Sequence, residues 1–422
     1  MLQVAVISVH TCPLARLGSR ETGGMNVYVR ELSRHLGSRG VAVDVFTRRQ
    51  EPDVPDIVEF GENARVIHLD AGPARAMDKY DVLRYLPQFT QGVREFQWRA
   101  GHSYHLVHGH YWLSSPVATA LATQWHVPLV AMFHTLGQLK NRVSRNGSER
   151  ENAERIEIER LAMLAADRVV AVSPTDMEQM ADFYGALRSR IRMVPGGVDT
   201  DLFRPFFADA ARALLGLGPG KLVLFVGRIQ RLKGIDLLLR AFAQLINGWP
   251  EDEKPRLMVV GGRNPADLAD PEATEMERLR ILAAELGVGE RVTFQGAVPH
   301  SSLPAYYSAA DVVAVPSRYE SFGLVALEAM ACGVPVVASG VGGLQWTVQH
   351  GKTGFLVRRR DPKQFAAAIR AVLLDPDLHS SLSAGAVEAA RGFSWASAAD
   401  RTLQLYSELV EARSGCAAAC MG

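Results

Sequence analysis

Short apolar runs, each closed by a turn and followed by a segment of helical periodicity, recur along the chain in two separate series. Val4 to Val9 is apolar but for Ser8, the pattern of a strand buried on both faces of a parallel sheet. The pair Gly23-Gly24 follows after a loop, and Met25, Val29, Leu32 and Leu36 then fall at helical spacing. Glycines at 37 and 40 stop that helix, and the apolar stretch from Val41 to Phe46 makes a second strand, completing a βαβ unit. The same reading predicts strands at 66–69, 106–109, 129–133, 169–172 and 191–194. Helices fit between them, notably at 114–123 and in the charged stretch 149–166, which reads mostly as a solvated face. Residues 140–147 read as a basic, turn-rich loop. The rhythm breaks over Pro195 to Pro205, the expected interdomain linker, and restarts. Strands are then predicted at 222–226, 257–260, 292–294, 312–315, 334–338 and 354–357. Helices are predicted at 234–246, 362–374, 378–390 and 397–412. Two such series imply two doubly wound α/β domains facing each other across a cleft, with ligands beyond the carboxyl ends of the strands.

Length agrees, since 422 residues exceed one ordinary core. A net charge of +1 argues against a general nucleic-acid binder. No apolar run approaches the roughly 20 residues that cross a bilayer. The first residues lack a basic flank and a cleavage site, so they read as a strand and not as a signal peptide. Four cysteines, including the Cys416/Cys420 pair near the end, make no disulfide framework, and a reduced cytoplasm is the expected location.

Several stretches could carry chemistry. Glu320-Ser-Phe-Gly-Leu-Val-Ala-Leu-Glu328 reads as a strand–loop–helix–strand unit, with Glu320 in the loop and Glu328 on the second helical turn. Free amides from Ser321 to Leu324 would favour an anion or a sugar oxygen. The bland alternative is a half-buried helix with a solvated acid at each end. Arg228 and Lys233 share a loop between a strand and a helix, where they can converge as a clamp for a diphosphate or remain solvated. His134 ends a strand and could meet a substrate hydroxyl or move a proton. Gly23-Gly24 permits close backbone approach, but the roughly 13-residue loop before it is too long for a dinucleotide fingerprint. His102, His105, His108 and His110 match no zinc spacing, and no metal site is expected. Alternation would still put His108 and His110 on one face. Asp199-Thr-Asp201 reads as a turn and not as a metal-binding pair. Neither a Gly-x-Ser-x-Gly elbow nor a Walker sequence occurs.

Taken together, Pro195-Gly-Gly-Val-Asp199, Gly227-Arg228 with Lys233-Gly234, and Glu320-x7-Glu328 resemble the retaining glycosyltransferases of family 4 almost end to end. The resemblance implies the GT-B fold, two Rossmann-like domains with the last helix crossing back. The expected division is 1–200 plus 397–422 for the acceptor and 201–396 for the nucleotide-sugar donor. It implies that Arg228 and Lys233 hold the donor diphosphate, that Gly24 approaches it, and that Glu328 binds the ribose hydroxyls. Glu320 with Phe322, Gly323 and Leu324 would hold the donor sugar, and His134 would lie at its reacting edge. Retention would follow from front-face attack, with neither metal nor cofactor. Two branches look close. His10-Thr-Cys-Pro-Leu14, Gly23 to Val29, His110-Tyr-Trp-Leu113 and His134-Thr-Leu136 resemble the inositol-phosphate N-acetylglucosaminyltransferases of mycothiol synthesis. The same framework resembles short bacterial sucrose-phosphate synthases. Both imply a phosphorylated acceptor, with Asn26, Lys79, Tyr111, Thr135 and Arg155 matching its pocket; otherwise Lys79 and Arg155 are ordinary surface charges.

Cys12 stands where the inositol-phosphate branch leads one to expect Ser, and residues 137–150 differ in length and composition. The expectation is therefore transfer from UDP-glucose to fructose 6-phosphate by a cytoplasmic monomer or homodimer. Transfer from UDP-N-acetylglucosamine to inositol 3-phosphate is the alternative. An NAD(P)-dependent oxidoreductase is disfavoured because the dinucleotide fingerprint is missing. A non-catalytic sugar- or nucleotide-binding module is the third reading.

Overall fold

The computed structural model describes residues 1–15, 22–145, 147–262, 271–358 and 360–420. Two compact units are present. Among the described residues, one comprises Met1–Ala15, 22–195 and those from Trp395 onward, and the other those of Gly196–Ser394.

The N-terminal unit is built on eight strands: β1 (Gln3–Ile7), β2 (Ala42–Arg48), β3 (Ile57–Gly61), β4 (Ala64–Leu69), β5 (Leu106–His110), β6 (Leu129–Met132), β7 (Arg168–Ala171) and β8 (Ile191–Met193). Their order is β3-β4-β2-β1-β5-β6-β7-β8. All neighbours pair in parallel except β3, which runs antiparallel to β4 at the edge. The inner strands are nearly wholly buried, which is why they read as unbroken apolar runs. The edge strand β3 escapes that reading: Glu59 interrupts it, Ile57 and Glu59 are exposed, and no continuous apolar run marks it.

The structure corrects one further expectation in this unit and sharpens another. The presumed basic loop after residue 140 begins inside a helix, Gly137–Val143. The charged stretch forms the helix Ala153–Ala165, capped by the Asn152 side chain; most of it is solvated as read, but one face buries Arg155, Glu159, Ala162 and Met163. Arg155 and Glu159 are both 0% exposed. They sit four residues apart, on one helical face turned inward. The last helix, Trp395–Cys420, belongs to this unit. Arg39 Nε donates to Asp400 Oδ1 at 2.6 Å, and Tyr406, fully buried, lies with its hydroxyl 2.6 Å from His108 Nδ1.

The C-terminal unit has six parallel strands: β9 (Leu222–Val226), β10 (Arg256–Val260), β11 (Val292–Gly296), β12 (Val312–Val315), β13 (Val336–Ser339) and β14 (Gly354–Val357). The order is β11-β10-β9-β12-β13-β14. Helices Ile235–Leu245 and Pro362–Leu374 bury Leu238, Phe242, Phe365 and Ile369 against Val223, Leu257 and Val312 of the sheet. Asp199 closes a turn, its side chain accepting from the amides of Asp201 and Leu202. β9 and β12 are sheet neighbours, so the loops leaving their carboxyl ends emerge side by side.

Candidate active site

Those two loops of the C-terminal unit are stitched together. Lys233 Nζ donates to Glu320 Oε2 at 2.6 Å, and the Ser317 hydroxyl reaches the same oxygen at 3.4 Å. Arg318 donates to both carboxylate oxygens of Asp236 and, through Nε, to the carbonyl of Arg231. Gly234 turns between Lys233 and its helix at φ +71, where a Cβ would stand 2.1 Å from the Pro316 carbonyl oxygen. Only glycine permits so close an approach. Arg228 is half-buried in the same loop and, among the described residues, joins no salt bridge. Lys233 is thus held by Glu320, while Arg228 is the uncommitted cation of the pair.

The helix Leu324–Ala331 starts from Gly323, whose φ of 93 lies in the left-handed region. Phe322 is buried, its ring facing Trp346 and Phe393. The Gly343 amide donates to the Glu320 carbonyl at 2.9 Å, fixing the turn that carries Glu320 to Leu324. Glu328 is 7% exposed. Its Oε1 lies 2.8 Å from His300 Nε2, and its Oε2 accepts from the Tyr307 hydroxyl at 2.8 Å. An ionised carboxylate only accepts, so the imidazole proton on this edge sits on Nε2. Phe203 packs edge-on against the His300 ring. Glu320 and Glu328 therefore have separate partners.

In the N-terminal unit the helix Gly24–Gly37 begins at the predicted glycine pair. Asn26 is 1% exposed. Its amide nitrogen donates to Thr11 Oγ1 and the Cys12 carbonyl, and its oxygen accepts from the Gly23 amide. The side chain is committed to holding the loop after β1 against the helix start.

Lys79, Tyr111, Thr135 and Arg155 come together. The Arg155 guanidinium donates through Nε to Glu159 Oε1 at 2.7 Å, and through its terminal nitrogens to Tyr111 Oη at 3.2 Å and to the Thr135 carbonyl and hydroxyl. It also lies over the Tyr111 ring at 5.2 Å. Lys79 Nζ bridges both oxygens of Glu151 at 2.8 and 2.6 Å. Lys140 donates to the same carboxylate, Tyr80 adds its hydroxyl, and Arg155 lies 3.0 Å from Oε1. Burial pushes the Glu151 carboxyl up, but Arg155, Lys140 and Lys79 outweigh it and hold it well below the usual carboxylate range. Burial lowers Lys140 to about 8, with the Lys79 charge adding to the effect. These are not ordinary surface charges.

His134, at φ 59, places its Nε2 2.9 Å from His110 Nδ1, and the two rings stack. The His108 and His110 ring centroids are 4.1 Å apart, on one face as alternation requires. Burial holds His108 and His134 down at about 3 and His110 well below its usual value, so all three stay neutral. Among the described residues no cluster of three or more metal-ligating groups occurs.

Sequence reasoning missed Tyr80, Lys140, Glu151, Glu159, His300 and Tyr307. The i,i+4 spacing of Glu151, Arg155 and Glu159 was a legible signal. Nothing local marked Lys140 or Tyr80, which meet Glu151 through the fold.

Comparison with known proteins agrees with this layout. The family described as glycosyl transferases group 1 matches residues 210–389, and glycosyltransferase family 4 matches residues 22–202. D-inositol 3-phosphate glycosyltransferase 1 of Catenulispora acidiphila is 44% identical over 98% of this chain and 97% of its own length. The D-inositol 3-phosphate glycosyltransferase of Nocardia farcinica is also 44% identical, over 96% of this chain and 89% of its own. Among solved structures, sucrose-phosphate synthase from Thermosynechococcus elongatus superposes with a TM-score of 0.89 at 37% identity, covering 98% of this chain and all of its own. HepE of Anabaena, solved with UDP and glucose, shares the fold at a TM-score of 0.74 and 20% identity over 97% of this chain and all of its own. The two named branches are both recovered. The sequence relatives favour the inositol-phosphate branch over the sucrose-phosphate type expected above. The Cys12 and loop departures are thus weaker guides than similarity over the whole length.

Proposed function

The chain belongs to glycosyltransferase family 4 and has the GT-B fold, and on that premise we propose that it transfers a sugar from a UDP-sugar to inositol 3-phosphate. UDP-N-acetylglucosamine is the donor of this reading. One observation carries it beyond the family. In a chain 44% identical over nearly its full length to inositol 3-phosphate glycosyltransferases, Lys79, Lys140 and Arg155 converge in a buried cluster suited to a phosphomonoester.

In this reading the N-terminal unit selects the acceptor through those cations with Tyr111 and Thr135, on a frame that Asn26 holds. The C-terminal unit grips the donor. Arg228 and Lys233 take the diphosphate, and Glu328 accepts from the ribose hydroxyls. Glu320 and the Phe322–Leu324 turn hold the donor sugar, and His134, kept neutral by burial, is the N-terminal unit's candidate for meeting a substrate hydroxyl. The acceptor oxygen forms its bond to the anomeric carbon on the face from which the UDP oxygen departs. The bond to the β-phosphate breaks, and the acceptor's proton passes to the leaving phosphate oxygen. The developing negative charge is met by Arg228 and Lys233, so the step needs no metal ion. A cytoplasmic enzyme, monomeric or homodimeric, completes the proposal.

Transfer to fructose 6-phosphate is the second reading, supported by the 37% identity to the Thermosynechococcus sucrose-phosphate synthase. Both acceptors are phosphomonoesters, so the cation cluster suits either. The test is UDP release and product analysis, with UDP-N-acetylglucosamine or UDP-glucose offered against inositol 3-phosphate or fructose 6-phosphate. Transfer to fructose 6-phosphate alone would replace the main reading by the second. Transfer to neither would remove both.

A further inference from the structure

The cluster that would receive the acceptor's phosphate already holds an anion, the carboxylate of Glu151. Its side chain is 4% exposed, and Lys79, Lys140, Arg155 and the Tyr80 hydroxyl all point at its two oxygens. A phosphomonoester presents its terminal oxygens to the same kind of donors. We propose that Glu151 is an internal competitor that occupies the phosphate position, leaves it when a phosphorylated acceptor binds, and thereby sets acceptor affinity and selects for a dianion.

The charge balance supports exchange over coexistence. Glu159 is a permanent partner of Arg155: both are 0% exposed, and Glu159 is fixed further by the Gly137 amide and the Tyr184 hydroxyl. With that pair matched, Lys79 and Lys140 face the single charge of Glu151, and one positive charge remains in surplus. A phosphate dianion in place of the carboxylate would close the balance, whereas both anions together would overfill it. The competitor's backbone and carboxylate are held by different partners. The Glu151 amide donates to Asn141 Oδ1 at 2.7 Å, and its carbonyl accepts from Asn141 Nδ2 at 2.9 Å. The backbone is therefore held independently of the carboxylate, so exchange would require rotation of the side chain alone. A purely structural Glu151, present to space the two ammonium groups, would behave in the opposite way on removal.

The inference rests on the phosphomonoester reading of the acceptor, and inorganic phosphate tests it without depending on the acceptor's identity. Titration calorimetry would compare the full chain with its Glu151→Gln and Glu151→Ala variants, using inorganic phosphate, inositol 3-phosphate and, as a control, UDP. Both variants should bind inorganic phosphate about tenfold tighter or better, roughly 1.4 kcal/mol, with UDP affinity unchanged. Equal or weaker phosphate binding overturns the proposal, even where transfer to inositol 3-phosphate proceeds in the wild type. Tighter phosphate binding beside a wild type that transfers nothing to inositol 3-phosphate would remove that acceptor and leave Glu151's role standing. Should neither variant fold, Glu151→Asp keeps the charge but draws the carboxylate back from Lys79, Lys140 and Arg155, a weaker competitor that leaves every donor in place. It should tighten phosphate by a smaller factor, and a weakening counts against the proposal.

Discussion

Glu328→Gln is the sharpest probe of the donor grip, because the geometry fixes what the carboxylate has left to give. Each oxygen already accepts one hydrogen bond at 2.8 Å, from His300 Nε2 and from the Tyr307 hydroxyl. An ionised carboxylate offers about four lone-pair sites, so one site remains on each oxygen, enough for two vicinal ribose hydroxyls. The amide keeps the shape but turns one oxygen into a donor and removes the charge. One ribose contact is then lost and the other becomes neutral. Hydrogen bonds to charged groups contribute about 1.5–3 kcal/mol each, so UDP binding should weaken by about 2–4 kcal/mol, or roughly 30- to 1000-fold. The fold should suffer less, since the hydroxyl and the imidazole can each reverse their hydrogen-bonding sense toward an amide. Calorimetry with UDP and with 2′,3′-dideoxy-UDP separates the ribose term from everything else. The wild type should prefer UDP by more than the factor that the variant loses, and the variant should keep only the small preference its one neutral contact supplies. If Glu328→Gln discriminates between them as strongly as the wild type does, the ribose role is wrong, whatever happens to overall affinity.

Lys233→Ala removes the ammonium that Glu320 now holds and that the leaving diphosphate would take, and should cost about 2–4 kcal/mol of transition-state stabilisation in kcat/KM. Near-normal turnover would end the leaving-group assignment. Gly234→Ala would place a Cβ 2.1 Å from the Pro316 carbonyl oxygen at φ +71. It should lower stability by about 2–4 kcal/mol in urea unfolding, and an unchanged midpoint would contradict that packing. Acid should destabilise the N-terminal unit. His108 is 1% exposed and is held down to about 3 by burial, against about 6.5 when unfolded. The unfolded chain therefore takes up a proton that the native state refuses. The stability from this group is complete above pH 6.5 and is lost as the pH falls from there toward 3. For this one imidazole the loss between pH 7 and pH 5 is about 2 kcal/mol, with His110 and His134 acting in the same direction. Urea midpoints that stay level across that range would refute the neutral buried ladder.

What could be read from the sequence follows what each residue must do locally. Parallel strands buried on both faces, such as β1 and β9, show themselves as apolar runs, and the glycines at 23 and 234 mark the helix starts that follow. β3 has a wet face and leaves no such trace. Charge pairing is the opposite case. The resemblance marked Lys79 and Arg155 as pocket residues, but local pattern alone leaves them and Lys140 as solvated cations, because only the fold supplies the acids that let such charges be buried. The same holds for the two carboxylates of the Glu320–Glu328 segment. Eight residues apart, they suggest a pair, yet one serves Lys233 and the other serves His300 and Tyr307. Lys233 in one unit and the three-cation cluster in the other each rest on a carboxylate of the chain itself. On the proposed assignments, a phosphate group would have to displace an acid in both places. Affinity would then follow the difference between two anions competing for the same cations, and not the number of cations alone.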